Sequence, residues 1–362
     1  MRGWLDDAGR NLETRLNALS DKPFESISVG EVEALGCEVF AWQRSHNDVL
    51  ERVAGRAIGD RIPVELSEIP ALPTDIFKIA RVACFPESAT VRIFETSGTT
   101  QELRGRHSFA DLSLYGRAAR ATASRLLLQH AGYHCIFLAE SEDRLPTSSL
   151  SFMLSRFAEH WHRGEMDPWM VRGAVLDLAA VIAAMEAAGR DGLPVALLGT
   201  SFAFVHLFDA LGGKSWHLAP GSVAMPTGGF KGRSREVDPA VLRRIIGATF
   251  ALGDDAILGE YGMTELSSQG YESRREGRGS YHVPPWVRVS MVDGVTLREL
   301  PRGSVGLVRV VDLMNLGSSV AIQTSDLGRM DVDGEGFVIL GRAQGATPRG
   351  CARAMDAALS GE

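Results

Sequence analysis

Residues 91–100 read VRIFETSGTT. Val91 to Phe94 have the β-branched and aromatic character of a short strand, and Glu95-Thr96-Ser97-Gly98-Thr99-Thr100 then crowds hydroxyls, backbone amides and a glycine into one turn. A turn of this kind can wrap phosphate oxygens, because glycine lets the backbone approach closely while amide and hydroxyl donors converge on the anion. The pattern GxxxxGK[ST] is absent, so this is not the phosphate loop of the P-loop NTPases. Taken alone, the segment also reads as an ordinary Ser/Thr/Gly hairpin or a helix cap.

Outward from that stretch, strands and helices alternate. SFADLSLYGRAARATASRLLLQHA (108–131) has helical spacing, HCIFLAE (134–140) reads as a strand, and SSLSFMLSRFAEHW (148–161) and AVLDLAAVIAAMEAAG (174–189) read as helices. PVALLGTS (194–201) is a further strand ending in small polar residues. This rhythm predicts parallel βαβ units and an α/β fold. Upstream, Leu12, Leu16, Leu19, Val32, Leu35, Val39, Phe40 and Trp42 recur at helical spacing, and Pro63, Pro70 and Pro73 end that region, leaving IPALPTDIFK (69–78) as an extended connector. Beyond about residue 280 come the short strands WVRVSMVDG, TLREL, GSVGLVRVVDL, AIQTSDLG and GFVILG. We therefore expect a helical N-terminal region over 1–60, an α/β core over 61–280, a small β-rich part over 281–342 and a short tail over 343–362. There is no internal repeat.

The 362 residues, 45% of them hydrophobic, suffice for a large core. A net charge of −7 provides no overall positive field for nucleic acid or an anionic membrane surface, which favours small-molecule chemistry. Cys37, Cys84, Cys135 and Cys351 form no CxxC pair, which argues against a disulfide framework or a zinc knuckle and fits a reducing cytoplasm. The N-terminal sequence lacks the apolar run of a signal peptide, and the longest apolar candidate for a span, 171–188, is interrupted by Arg172, Asp177 and Glu186. Only four residues are lysines: Lys22, Lys78, Lys214 and Lys231.

Two more segments carry chemistry. In LGEYGMTE (258–265) Tyr261 offers a flat face for a purine, and Thr264 and Glu265 offer hard oxygen donors to a phosphate and a divalent cation; the same pattern could be a strand end with Glu265 solvated. In Thr324-Ser325-Asp326-Leu327-Gly328 a carboxylate at a turn between strands could accept two hydrogen bonds from a ribose diol, or could form a surface Asx turn.

In this order the segments resemble the adenylate-forming superfamily of acyl- and aryl-CoA ligases, firefly luciferase and peptide-synthetase adenylation domains. ETSGTTQ is similar to its phosphate loop, with Gln101 where a glycine is usual; EYGMTE is similar to its aromatic-Gly-x-Thr-Glu motif, TSDLG to its TGD motif, and Gly341-Arg342 to the end of its core domain. The resemblance implies that Thr96, Ser97, Gly98, Thr99 and Thr100 grip the ATP phosphates. It further implies that Tyr261, with Gly262 and Thr264 beside it, receives the adenine, that Glu265 binds Mg²⁺, and that Asp326 and Arg342 hold the ribose. Gly228 and Gly229 of PTGGFKGRS match the glycine pair lining the adenine pocket, or form a simple glycine turn.

Members of the superfamily usually continue into a mobile lid with a catalytic lysine, and the sequence given has no lysine after Lys231. Lys231 is the candidate for that electrostatic task, with Arg233 and Arg235 in reserve, unless it is a solvated surface lysine. The expected fold is thus an adenylate-forming core without the lid. LPTDIFK (72–78) and GRAQGATPRGCARA (341–354) resemble the LuxE-type acyl-protein synthetases. In that family a cysteine near the C-terminus takes the acyl group from the adenylate and passes it to a partner reductase, and Cys351, flanked by Arg349 and Arg353, occupies the matching place. A lone cysteine can equally be a small buried hydrophobe.

The resemblance implies activation of a carboxylic acid, a fatty acid in the family's manner, with ATP and Mg²⁺ as cofactors, in a pocket around Ser201, Phe202, Phe204 and His206. The implied partner is an acyl-CoA-reductase-like protein or an acyl carrier protein. Two alternatives stand beside this reading: a ligase of the phenylacetate-CoA ligase type that uses coenzyme A or a carrier-protein thiol, and a non-catalytic nucleotide-binding subunit.

Overall fold

The computed structural model describes residues 3–96, 103–228, 237–273, 279–332, 334, 336–343 and 355. The chain begins with α1 (Asp7–Asp21), α2 (Val29–His46) and α3 (Asp48–Ile58). Each is started by a polar side chain that accepts first-turn amides: Asp6 from Gly9, Ser28 from Glu31, and Asn47 from Val49 and Leu50. The apolar positions at helical spacing, among them Leu12, Leu16, Leu19, Val39, Phe40, Leu50 and Val53, are all buried. A Cβ on Gly9 would lie 2.8 Å from the Trp42 ring, so glycine lets α1 approach α2.

The segment read as an extended connector holds β1 (Leu72–Pro73) and the single turn α4 (Ile76–Ile79). Two strands, β2 (Arg92–Glu95) and β3 (Arg106–Phe109), follow as an antiparallel hairpin, then α5 (Ser113–Leu126). The sequence predicts this last helix from residue 108. Ser108 and Phe109 instead pair with Ile93 and Arg92, and the helix starts only after Asp111, which accepts the Ser113 amide at 2.7 Å.

Next come β4 (His134–Leu138), α6 (Ser149–Trp161), β5 (Val171–Arg172), β6 (Val175–Leu176), α7 (Leu178–Asp191), β7 (Val195–Thr200), α8 (Ser201–Leu211), β8 (Val223–Thr227), α9 (Pro239–Phe250) and β9 (Glu260–Tyr261). The remaining strands are β10 (Gly270–Ser273), β11 (Ser280–His282), β12 (Val287–Val292), β13 (Val305–Asp312), β14 (Ala321–Met330) and β15 (Phe337–Arg342). The strand predicted at TLREL contributes only a bridge between Val292 and Glu299, because the Asp293 carboxylate takes the Val295 and Thr296 amides and bends the chain.

The chain divides into two compact units. The first comprises Met1–Ala121, Gly262–Gln269 and His282–Glu362, and the second Thr122–Tyr261 and Gly270–Tyr281. In the first, β12, β13, β14 and β15 form an antiparallel sheet in that order, and β1 adds in parallel to β14. In the second, β4, β7, β8 and β9 run parallel, β10 pairs antiparallel with β9, and β11 lies beside β10. Its core packs Ile136, Leu138, Val195, Leu197 and Ala224 of the strands against Val181 and Met185 of α7, Phe204 and Leu207 of α8, and Ile246 and Phe250 of α9. Each of the Val, Leu, Ile, Phe and Met side chains among them contributes about 1.5–3 kcal/mol on leaving water. The α/β alternation predicted from sequence is what the second unit shows. No helix among the described residues is long and apolar enough to cross a membrane.

Candidate active site

In the first unit, the β2–β3 hairpin positions the candidate residues. The Thr96 amide donates to the Gly105 carbonyl at 2.9 Å, and the Gly105 amide donates to Thr96 Oγ1 at 2.9 Å, closing the base of the loop predicted to hold phosphates. A Cβ on Gly105 would lie 3.0 Å from Thr96 Cγ2 and 3.5 Å from Glu265 Oε1. The fold therefore brings the loop's base beside a carboxylate far away in sequence. Glu265 is buried, which excludes the reading of a solvated side chain.

The turn carrying Glu265 is fixed from three sides. His107 Nδ1 lies 2.7 Å from the Thr264 carbonyl, and Thr264 Oγ1 lies 3.5 Å from the Glu95 carbonyl. Since a carbonyl only accepts, Nδ1 carries the proton. Burial pushes His107 down to about 4, so the ring is neutral near pH 7. Asn315 Nδ2 donates to the Glu265 carbonyl at 2.7 Å, and its Oδ1 accepts the Ser267 hydroxyl. Asp312, buried, accepts the amides of Ser267, Ser268 and Met314 and the Ser268 hydroxyl, while burial raises its carboxyl above the ordinary range. Gln43 of α2 ties the helical region to the same segment: its amide donates to the Asn315 and Leu316 carbonyls and its oxygen accepts the Val320 amide. None of these supporting residues is signalled by sequence, because their partners are distant along the chain.

Asp326 is not in a turn between strands, as its Ser-Asp-Leu-Gly setting suggests, but within β14. It pairs with Arg342 of β15, and the register shifts between Leu327 and Gly328 as a bulge, which a glycine accommodates. Its Oδ1 accepts from Arg342 Nε at 3.1 Å, and its amide donates to Thr324 Oγ1 at 3.0 Å. The carboxylate is mostly covered, at 14% side-chain exposure against 73% for Arg342, so Arg342 reaches a largely fixed acid from solvent.

The second unit collects its candidates at the carboxyl ends of its parallel strands. Register aligns Thr200 with Thr227 and Thr227 with Glu260, so Ser201, Gly228 and Tyr261 each stand one residue beyond an aligned position. In open α/β sheets ligands bind at this edge. Gly228 has φ +66°, a left-handed conformation that suits glycine directly after β8. Tyr261 is half-buried, with its ring 5.9 Å from that of Tyr281. The Thr200 hydroxyl caps α8 by accepting the Ala203 amide, and Phe202 and His206 stack edge-on with ring centroids 4.3 Å apart. Ser201 is buried at the start of that helix, and its hydroxyl lies 3.4 Å from the Thr227 carbonyl. Phe204 is core.

The chain passes from the second unit to the first between Tyr261 and Gly262, so the YGMTE segment contributes to both. Ser97, Gly98, Thr99, Thr100, Gln101, Gly229, Lys231, Arg233, Arg235, Arg349, Cys351 and Arg353 lie outside the described residues. Burial pushes the Cys37 thiol up to about 11 and the Cys135 thiol up to about 12, and raises Cys84 further still. Among the described residues no group of three or more His, Cys, Asp or Glu side chains could hold a metal ion.

Comparison with known proteins gives three findings. The family described as "Acyl-protein synthetase, LuxE" matches residues 172–360, which is 189 of the 362 residues. The long-chain-fatty-acid–luciferin-component ligase of Vibrio harveyi is 22% identical over 347 residues, covering 89% of this chain and 86% of that one. Among solved structures, an open conformation of 2-hydroxyisobutyryl-CoA ligase, in complex with 2-HIB-AMP and CoA, superposes with a TM-score of 0.60 at 14% identity, covering 84% of this chain and 73% of that one. The same enzyme in its postadenylation state with 2-HIB-AMP gives a TM-score of 0.61 at 13% identity, covering 89% and 72%. At such identities the likeness concerns the fold.

Proposed function

The chain belongs to the LuxE family of acyl-protein synthetases and is an acyl-adenylate-forming ligase, and from that premise we propose that it activates a fatty acid with ATP and carries the acyl group on Cys351. The observation that carries this reading is the placement of the Glu265 carboxylate beside the closed base of the Thr96–Gly105 loop. In the first half-reaction the carboxylate of the acid attacks the α-phosphorus of ATP, forming the acyl–phosphate anhydride and releasing pyrophosphate. Thr96 to Thr100 would hold the phosphates, Asp326 with Arg342 the ribose, and Tyr261 with Gly228 and Gly229 the adenine. Lys231 would neutralise charge on the departing pyrophosphate.

The residues fit Mg²⁺ in a particular way. With no cluster of three acidic or soft ligands among the described residues, the ion would rest on the Glu265 carboxylate and the nucleotide's own phosphates, as Mg²⁺ does in many nucleotide sites. Bound there, it would neutralise phosphate charge. The three other thiols are held protonated by burial, which makes them poor nucleophiles and supports Cys351 as the acceptor. In the second half-reaction the Cys351 thiolate attacks the acyl carbon, the thioester forms and AMP leaves. A reductase or carrier protein would then receive the acyl group.

Protein incubated with Mg-ATP and its fatty acid should gain one acyl mass that hydroxylamine removes. Cys351→Ser should lose the label and keep pyrophosphate exchange. A second reading is favoured by the fold likeness to a CoA ligase: wild-type protein that never carries an acyl group but acylates added coenzyme A would establish that reading instead.

A further inference from the structure

Between β9 and β10 the chain runs from Gly262 to Gln269 in neither helix nor strand, so no backbone ladder sets the position of Glu265 within it. Side chains set it instead. Asp312, the last residue of β13, takes the Ser267 and Ser268 amides at 2.9 and 2.7 Å. Asn315 reaches Glu265 itself: its Nδ2 donates to the Glu265 carbonyl at 2.7 Å and to the Ser319 carbonyl at 3.1 Å, while its Oδ1 accepts the Ser267 hydroxyl. Both amide protons are used, and carbonyls only accept, so these partners fix the orientation of the amide. Asn315 is buried, and its backbone is held as well. Its carbonyl accepts Gln43 Nε2 at 2.7 Å and the Ser318 amide at 3.1 Å, and its own amide donates to the Asp312 carbonyl at 3.1 Å. Glu265 is thus anchored through its carbonyl, while its carboxylate lies at the hairpin base, with Oε1 3.5 Å from where a Cβ on Gly105 would stand.

We propose that Asn315 is a positioning residue for Glu265: it fixes the backbone from which the carboxylate extends, and so sets how tightly the chain binds ATP as its Mg²⁺ complex. The inference rests on the reading in which Glu265 meets that ion. Mg²⁺ demands near-ideal octahedral geometry at about 2.0–2.1 Å, so a carboxylate displaced by a fraction of an ångström is a poorer ligand. A neutral amide suits the task, because it orders the main chain without adding a charge that competes for the cation. Losing a group that orients a metal ligand costs about 10- to 100-fold in metal affinity, and Asn315 acts through the main chain, which places its loss near the lower end.

The test is calorimetry of ATP binding to the full chain, once with Mg²⁺ and once in EDTA. Relative to wild type, Asn315→Ala should raise the dissociation constant of Mg-ATP about tenfold and leave that of metal-free ATP unchanged. General loosening of the nucleotide site would not produce that split. Ser267→Ala keeps both Nδ2 bonds and removes only the hydroxyl at Oδ1, so it should show the same split at a smaller size, about threefold. Asn315→Ala decides where it folds, and Ser267→Ala where it does not. Equal weakening in both solutions, or no weakening in either, would overturn the proposal, as would a wild-type chain that binds no ATP. Glu265→Gln separates this outcome from the wider reading. If Glu265→Gln selectively weakens Mg-ATP while the deciding variant does not, Asn315 loses its positioning role and Glu265 keeps the metal. If Glu265→Gln binds Mg-ATP as wild type does, the metal reading falls and the positioning role falls with it.

Discussion

At the scale of single residues, Glu265 and His107 carry the sharpest expectations. Glu265→Gln preserves volume but exchanges the carboxylate proposed to bind Mg²⁺ for an amide, so adenylation should fall by orders of magnitude while the melting temperature changes little. Unchanged exchange activity would remove Glu265 from the site. His107 titrates near 4 in the folded chain and near 6.5 when unfolded. Between these values the unfolded chain binds more protons, so the contribution is lost as pH falls through that window, by up to about 3 kcal/mol. His107→Gln keeps a donor for the Thr264 carbonyl and removes the titration. Its urea midpoint should therefore drop less than that of the wild type on acidification, and parallel curves would contradict the buried neutral ring. Glu265 was legible because it sits in a recognisable string, YGMTE. His107 was not, because a histidine between polar neighbours looks solvated until distant residues close over it.

At the scale of elements, β14 holds the ribose candidate. Asp326→Ala removes an acceptor that the strand pairing and Arg342 hold in place, and should weaken ATP binding by about 1–3 kcal/mol without unfolding the protein. An unaltered ATP dissociation constant would return the segment to a structural role. Ser-Asp-Leu-Gly reads as a turn from composition, yet pairing on both sides with β13 and β15 keeps it extended, and Gly328 absorbs a bulge rather than a reversal. The early start predicted for α5 failed for a related reason: hairpin pairing claimed Ser108 and Phe109 before the helix could. Helices α1 to α3 were legible throughout, since their spacing and caps are local properties of the chain.

At the scale of the molecule, the order of the motifs along the chain carried the α/β fold and the family, because both survive as linear patterns. The division into units did not, since the first unit takes in Gly262–Gln269 from within the second, and such a crossing leaves no local signature. The buried network of Gln43, Asp312 and Asn315 belongs to the same class, joining α2 to segments some 270 residues away. The central claim is that the acid attacks the α-phosphorus of ATP. It is tested most directly by turning over straight-chain fatty acids labelled with ¹⁸O in the carboxyl group and analysing the products by mass spectrometry. Attack at the α-phosphorus predicts one ¹⁸O in AMP and none in pyrophosphate. Label in inorganic phosphate, with ADP as the nucleotide product, would mean attack at the γ-phosphorus and would contradict the acyl-adenylate account.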